Sequence, residues 1–321
     1  MLWHSWYATS MSKKNKMQKI KSFFLWVGIV LAVVIGSTLI WPYLNYANSE
    51  YWHNRGRAFY EKKNYEKALK AFEHAISLDP EDTSAYQWKA AVFLKLESYN
   101  QAIDAYDQIL AYSPDNPKIV LLKGQTYARA KQFEVALEIF DQAISTGIDR
   151  PVKIQNGTFS FQYLLLIQKS IALMELERYE EVLSVLEAAI KKSPQDANLR
   201  HSKGAALLML ERFEDAIKCF DYALQIDPDS TKAALAWNNK GCALFGLKKY
   251  DDALKAFDQA LLLDADYDSA WYSRARVYVS LGNRDSAVSS LQRAIALNPD
   301  HKQNMRSDEA FQSLKGLEVF K

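Results

Sequence analysis

A motif of small and aromatic residues recurs along most of this chain, and it restricts the fold more than any other feature. It appears first in residues 49–82, which hold two helical patterns that meet near Lys63. The small residues let the two helices approach closely, and the aromatic residues fill the space around them. The positions of the motif are Trp52, Gly56, Phe59, Ala68, Phe72, Ala75 and Pro80. Since proline cannot continue a helix, Pro80 ends the second pattern.

Six further copies begin at residues 83, 117, 163, 197, 234 and 268. The copy over 163–196 departs most, with Ser170 and Leu186 at key positions. The set resembles the tetratricopeptide repeat, whose period is about 34 residues. This resemblance implies an all-α fold: a right-handed α-solenoid of about seven helix pairs. Because end repeats need a cover for their apolar face, we also expect a capping helix at the C-terminus, containing Phe311 and starting at Asp308.

The sequence before the repeats predicts a membrane anchor. Phe23 to Leu44 runs for 22 residues without a charged side chain, and as a helix it would be about 33 Å long, enough to span a bilayer. We therefore predict one transmembrane helix over 23–46. The predicted domains are a basic cytoplasmic tail (1–22), the transmembrane helix (23–46), repeats one to three (49–150), an insertion (151–162), repeats four to seven (163–301) and the capping helix (302–321).

Two other interpretations of the apolar run stay open at this point. It could be a signal peptide cleaved near Ser49, although it is longer than the usual apolar region of a signal. It could also be a buried helix of the solenoid, although it is apolar on all sides. The lysines of residues 1–22 precede the run, and Glu50 is the first charged residue after it. The positive-inside rule then puts the N-terminus in the cytoplasm and the repeats on the other side, in a periplasm or lumen.

Charge and cysteine content narrow the classes of partner. The net charge is +2, and five lysines lie in residues 1–22, so the remainder carries a net charge of about −3. A mildly acidic solenoid argues against binding to nucleic acid, which favours a basic stripe. Cys219 and Cys242 belong to no metal-binding spacing. They lie on neighbouring predicted helices, either as free residues or, in an oxidising compartment, as a disulfide.

No catalytic constellation is present in the sequence. The five histidines are scattered, and no nucleotide, hydrolase or zinc-protease motif occurs. Asp264, Asp266 and Asp268 resemble the start of a calcium loop, but Ser269 and Ala275 stand where the glycine and the bidentate glutamate belong. We interpret this run as a turn between repeats. We therefore predict no enzymatic activity, no cofactor and no metal.

Binding is then the expected function. In the tetratricopeptide family the first helix of each repeat lines a concave face, so the resemblance implies a groove that is basic near its start and apolar over repeats four to six. That groove also includes Leu164, Asn198, Met209 and Leu235. The candidate partner-binding residues are His53, Arg57, Gln87, Lys95, Gln125, Arg129, Ile167, Ile171, Met174, His201, Leu208, Asn238, Cys242, Phe245, Tyr272 and Arg276.

Two interpretations of this groove stay open. Its apolar residues could pack against one another or against the 151–162 insertion, which is either a loop or a segment that contacts a partner. Alternatively, they bind an apolar or amphipathic peptide or helix. His53 and Arg57 replace the lysine and asparagine with which family members hold chaperone tails. From the membrane anchor and the groove together, we predict a membrane-anchored scaffold for assembly or stabilisation of a membrane or envelope protein complex. The alternatives are a secreted binding protein and a cytosol-facing targeting adaptor.

Overall fold

A computed structural model of the chain describes Trp26 and residues 48–154, 157–229 and 231–316. Apart from Trp26, the predicted basic tail and transmembrane helix lie outside these residues. Within the described part of the chain, no helix combines the length and the apolar character that a membrane span requires. The chain divides into two compact units, 1–116 and 117–321.

The first unit contains two helix pairs, as the repeat pattern predicts. Helix α1 packs against α2, α2 against α3, and α3 against α4. Their bounds are α1 Ser49–Glu61, α2 Tyr65–Leu78, α3 Thr83–Lys95 and α4 Tyr99–Tyr112. Three of these helices begin where a short polar side chain accepts a hydrogen bond from a backbone N–H of the first turn, as Asn48 does from Glu50 and Asp82 from Ser84.

The second unit contains five more pairs, a β-hairpin and two short terminal helices. Within each pair the two helices pack together, and from α6 to α13 each pair also packs against the next. The elements are α5 Pro117–Arg129, α6 Phe133–Ser145, β1 Pro151–Ile154, β2 Gly157–Ser160, α7 Phe161–Glu175, α8 Tyr179–Lys192, α9 Ala197–Met209, α10 Phe213–Ile226, α11 Thr231–Gly246, α12 Tyr250–Leu263, α13 Asp268–Ser280, α14 Arg284–Leu297, α15 Asp300–Ser307 and a 3₁₀ helix Glu309–Leu314.

Each pair turns from its first helix to its second through one residue with left-handed backbone. In the last pair this residue is Gly282, with φ of 74°, a conformation that glycine adopts without a steric penalty. The other six pairs use lysine or glutamate at the same place, with φ between 55° and 60°. These residues are Lys63, Glu97, Lys131, Glu177, Glu211 and Lys248. The repeated strain shows that the packing of the pairs, and not local preference, dictates the turn.

The core of a pair depends on a small residue opposite a large one. A Cβ added to Gly204 would lie 2.6 Å from Cε1 of Phe220, and one added to Gly56 would lie 2.5 Å from Cε1 of Phe72. Gly124 and Gly241 meet Phe140 and Phe257 in the same way. In the remaining pairs alanine or serine replaces the glycine, and tyrosine or leucine stands at the phenylalanine position. These buried combinations are Ala90 with Tyr106, Ser170 with Leu186 and Ala275 with Leu291.

Neighbouring pairs are also joined by ion pairs that recur at one position. A lysine or arginine in the middle of a first helix contacts a carboxylate on the second helix of the preceding pair. We call these the inter-pair ion pairs. They are Lys89–Glu73 (3.2 Å), Lys169–Asp141, Lys203–Glu187 (2.8 Å), Lys240–Asp221 (2.5 Å) and Arg274–Asp258 (2.8 Å). The cations are largely covered while the acids are about half exposed, so each pair contributes modestly to stability.

The insertion corrects the prediction of a loop and qualifies the all-α fold class. Residues 151–154 and 157–160 form an antiparallel hairpin in which Pro151 pairs with Ser160. Asp149 holds its base: the carboxylate accepts hydrogen bonds from Ser160 Oγ, from Gln162 N at 3.1 Å and from Lys192 Nζ at 2.9 Å. Val152 is buried in the core of the second unit. The hairpin is therefore an integral part of this core.

Two further expectations differ from the structure. Residues 231–233, which precede the repeat expected from residue 234, form the first turn of α11, because Ala233 packs against the buried Leu224. The expected single helix over 302–321 is replaced by α15 and the 3₁₀ helix. They are separated by Asp308, whose extended backbone stops α15 and whose side chain accepts from Ala310 N at 2.9 Å. Residues 317–321 lie outside the described residues.

Candidate functional site

In the first unit, the predicted binding residues are partly engaged in holding the pairs together. His53 Nδ1 lies 3.4 Å from Asp82 Oδ2, the cap of α3. The guanidinium of Arg57 lies 5.1 Å from the ring centroid of Trp88. Gln87 is half-buried and Lys95 is exposed at the end of α3. Of these four residues, Arg57 and Lys95 present the larger part of their side chains to solvent.

The first unit also contains a cavity that the sequence did not indicate. It has a volume of about 300 Å³ and lies between α3 and α4, beside the Lys89–Glu73 ion pair. Tyr86 and Phe93 form its apolar wall, while Gln101 and Asp104 form a polar one. The lysine that lines this cavity, Lys89, is already paired with Glu73. The cavity therefore resembles an ordinary groove between helices.

In the second unit, the apolar groove predicted on α7 is mostly core. Leu164 is 6% exposed, and Ile167 and Met174 are half-buried against the core of this unit. Ile171, in contrast, is 49% exposed. Earlier in the unit, on α5, Gln125 is half-buried and Arg129 is exposed. These α7 residues thus pack against the core, and Ile171 is the exception.

The next two first helices also expose apolar side chains. Met209 at the end of α9 is 56% exposed, and Leu235 near the start of α11 is 39% exposed. Leu208, which precedes Met209, is half-buried and packs against the core. We call Ile171, Met209 and Leu235 the exposed apolar set. Each of its members belongs to the groove that the family resemblance predicts.

Polar side chains of α9 and α11 also contact one another. Lys232 Nζ donates to Asn198 Oδ1 at 2.7 Å, and Asn239 Nδ2 lies 3.1 Å from His201 Nε2. Burial, aided by the charge of Lys232, lowers the pKa of His201, so this imidazole is neutral at neutral pH. Asn238 is 6% exposed, and its Oδ1 has no hydrogen-bond partner within the described structure. A buried amide oxygen without a hydrogen-bond partner is uncommon in folded proteins.

A cavity of about 200 Å³ lies between the first helices α11 and α13. Its wall includes Cys242, Phe245, Ser273 and Arg276. Burial raises the pKa of the Cys242 thiol, so the sulfur is protonated and carries no nucleophilic thiolate at neutral pH. Arg276 supplies the only charge on this wall, with its guanidinium 5.5 Å from the centroid of Phe245. The cavity can accept one apolar side chain.

The last pair uses its predicted binding residues to hold the C-terminal segment. Tyr272 Oη donates to Asp308 Oδ2 at 3.0 Å, and Arg276 Nε lies 3.4 Å from the same oxygen. The ring of His301 stacks on Tyr272 with centroids 4.7 Å apart. Sequence reasoning missed both Asp308 as a partner of the groove and His301. The helix-capping role of Asp308 gave no signal of this second contact.

Catalysis finds no support in this geometry. Cys219 and Cys242 are both free, and burial raises the pKa of each thiol. Across the described ranges, no three histidine, cysteine or acidic side chains are grouped so that they could bind a metal. Asp266 pairs with Arg293 at 2.7 Å and Asp268 accepts from Asn298 at 2.9 Å. The acidic run that resembles a calcium loop is therefore used in structural contacts.

The succession of packed helix pairs defines this chain as a helical-repeat protein. Tetratricopeptide repeat models match residues 49–82, 93–147, 195–261 and 238–303. Together these matches cover more than half of the chain. It is a tetratricopeptide repeat protein, and proteins built from this fold serve as protein-interaction scaffolds. No curated protein matches the chain.

Solved structures share the fold at low sequence identity. A tetratricopeptide repeat protein from Parabacteroides merdae is 11% identical with a TM-score of 0.59, over 79% of this chain and 96% of that one. The C-terminal part of a repeat protein from Cytophaga hutchinsonii is 13% identical with a TM-score of 0.59, over 82% and 99%. The Cut9–Hcn1 hetero-tetramer of the APC/C is 18% identical with a TM-score of 0.54, over 89% and 51%. At these identities the likeness concerns the fold alone.

Proposed function

We propose that this protein is a membrane-anchored scaffold that binds a segment of another protein along the first helices of its second unit. The observation that carries the proposal is the exposed apolar set, Ile171, Met209 and Leu235, on three successive first helices. Exposed apolar side chains on successive first helices support a binding surface, since exposed apolar patches mark interaction sites. The anchor would keep the bound partner beside the bilayer, as assembly of a membrane or envelope complex requires.

The chemistry of the face indicates what kind of segment it binds. Apolar contacts would come from the exposed apolar set and the Cys242–Phe245 cavity. Lys232 and Arg276 would attract acidic flanks of the segment. The partner segment would thus be an apolar or amphipathic peptide or helix with acidic residues near its end.

Anchoring and topology form the second part of the proposal. The uncharged run from Phe23 to Leu44, with lysines before it and Glu50 after it, supports a span with the N-terminus in the cytoplasm. The repeats would then face a periplasm or lumen. Protease added to intact cells, and then to cells with the outer barrier opened, tests this orientation. Digestion of residues 49–321 only from the cytoplasmic side would contradict it.

Site-specific photocrosslinking in native membranes tests the binding face. A photoreactive phenylalanine replaces Ile171 in the full chain, and, as a matched control, Leu262, which is 77% exposed on the second helix α12. We expect defined adducts from position 171 and none from 262. Met209→Glu should reduce the adducts about tenfold, equivalent to about 1.4 kcal/mol of binding free energy, while Leu262→Glu should not.

Exposed positions make better probes than half-buried ones. Glutamate at Ile167 or Leu208 would disturb the core against which these residues pack, so loss of binding there would not identify a surface. Equal adducts at 171 and 262, or adducts unaffected by Met209→Glu, would contradict the binding face.

A further inference from the structure

The first helix pair repeats a feature of the later pairs but lacks the partner that they have. Arg55 lies 34 residues before Lys89, the cation of the first inter-pair ion pair. Among the described residues no helix pair precedes α1, and the carboxylate of the inter-pair ion pairs has no counterpart there. Arg55 is exposed, and within the described ranges it forms no ion pair: its Nη1 donates to Tyr51 Oη at 3.1 Å.

Aromatic rings surround this unpaired charge. The guanidinium carbon of Arg55 lies 5.9 Å from the centroid of Tyr51, 5.2 Å from that of Trp52 and 5.7 Å from that of Phe59. Lys67 Nζ on α2 lies 5.9 Å from the centroid of Phe59. We call Tyr51, Arg55, Phe59 and Lys67 the cation–aromatic face. Tyr51, Arg55 and Lys67 are exposed, so the face presents positive charge and ring edges to whatever adjoins it.

Two parts of the chain could be expected to provide a carboxylate for Arg55, and neither contains one at the relevant position. Residues 1–49 contain no aspartate or glutamate, so the N-terminal segment has no carboxylate to offer. A second copy stacked end to end would not supply one either. In the last pair Gln292 stands 34 residues after Asp258, where the preceding pairs have an acid. An anion from another kind of molecule would fill this position.

The segment between the uncharged run and α1 is short, so α1 would lie close to a bilayer that the run spans. The uncharged run ends at Leu44 and α1 begins at Ser49, so at roughly 3.5 Å per residue the start of α1 lies within about 17 Å of the end of the run. The headgroup layer is about 5–7 Å thick on each side of the hydrocarbon core. Tyrosine, arginine and lysine side chains are favoured there, because their apolar parts and their polar tips are both accommodated.

We propose that the cation–aromatic face docks on the membrane, with Arg55 and Lys67 binding the phosphates of lipid headgroups. The inference rests on the proposed membrane anchor. Docking would orient the first unit against the bilayer, as a second contact in addition to the anchor. The phosphate of the headgroup would take the place of the carboxylate found in the inter-pair ion pairs.

Hydroxyl-radical footprinting of the full chain in lipid nanodiscs tests the proposal. Oxidation of Tyr51 is compared with that of Tyr112, which is 48% exposed in the same unit, in nanodiscs of phosphatidylcholine with and without phosphatidylglycerol. We expect Tyr51 oxidation to fall at least about threefold relative to Tyr112 when the anionic lipid is present, since basic side chains are attracted to it. Molar salt should reverse the effect by screening.

Two charge-matched variants complete the test. Arg55→Gln should abolish the protection of Tyr51, whereas Arg284→Gln, which removes an exposed cation at the start of α14, should not. Protection that persists in Arg55→Gln would overturn docking through this charge. Protection that depends on the number of copies per nanodisc would assign the face to a second copy and overturn membrane docking.

The anchor and the docking face can fail separately. Protein that leaves the nanodiscs in alkaline carbonate would overturn the anchor, and the docking inference with it. Protein that stays in the nanodiscs while Tyr51 is oxidised as fast as in detergent would overturn the docking alone.

Discussion

The first and the last helix pairs end their units in opposite ways. At the last pair the chain folds back, and Met305, Phe311 and Leu314 become fully buried against α13 and α14. At the first pair α1 keeps Tyr51 and Arg55 exposed. A repeat array must cover its terminal apolar faces, and here only one end is covered by described residues. The difference indicates that the two ends have different roles, closure at one and contact at the other.

The largest loss of stability should come from a substitution in the C-terminal segment that covers the last helix pair. Phe311 is fully buried, and its ring meets Tyr272 edge-on with centroids 5.3 Å apart. Phe311→Ala should lower the free energy of unfolding by about 3–5 kcal/mol through lost burial and the cavity that remains. Urea denaturation followed by circular dichroism measures it. The matched change at the open end, Phe59→Ala, removes a half-buried ring and should cost clearly less. Equal losses would mean that both ends are equally packed.

The second effect tests how far an end pair can relax. Gly56→Ala and Gly241→Ala both place a Cβ within 2.6 Å of a phenylalanine ring, and overpacking of this kind costs about 1–3 kcal/mol. We expect Gly56→Ala to cost less, because α1 has a helix pair on one side only among the described residues. Melting temperatures of the two variants compare them. A larger loss for Gly56→Ala would show that the first pair is as constrained as an internal one.

The two ends should also differ in their response to acid. Burial alone would raise the pKa of Asp268, but hydrogen bonds from Asn298, His301 and Ser269 N outweigh it and lower the pKa below its usual 3.8. A folded-state pKa below the unfolded one stabilises the protein above about pH 4, and this stabilisation is lost as the pH falls through the folded value. Asp268→Asn should therefore flatten the loss of melting temperature below pH 4.

The acidic counterpart at the first pair serves as a control. The hydrogen bond and charge of Lys70 lower the pKa of Glu66, but both side chains are at least 72% exposed, so solvent screens the interaction. Glu66→Gln should leave the acid profile unchanged. A profile that responds to Glu66→Gln and not to Asp268→Asn would remove the predicted difference between the ends.

Sequence periodicity was enough to predict the pairs, because each pair repeats one small residue opposite one large residue. It was not enough to predict which first-helix residues are exposed. Ile167 and Ile171 look equivalent in the sequence, yet the first packs into the core and the second is 49% exposed. The hairpin after Asp149 changes the surroundings of α7, and its strands are too short to give an alternating pattern. The contact of Asp308 with Tyr272 joins residues 36 positions apart, and no local signal reports it.

The smallest effect isolates the charge at the open end. Lys203→Gln breaks an inter-pair ion pair whose lysine side chain is only 22% exposed and should cost about 0.2–1 kcal/mol. Arg55→Gln removes the same kind of cation where no carboxylate is bound within the described structure, so it should change the free energy of unfolding by less than about 0.5 kcal/mol. Denaturation of both variants in detergent measures the difference. A cation with no measurable role in folding, at the position that forms the five inter-pair ion pairs of later helix pairs, is then explained by contact with something outside the fold. A loss for Arg55→Gln as large as that for Lys203→Gln would instead assign Arg55 to the packing of the first pair.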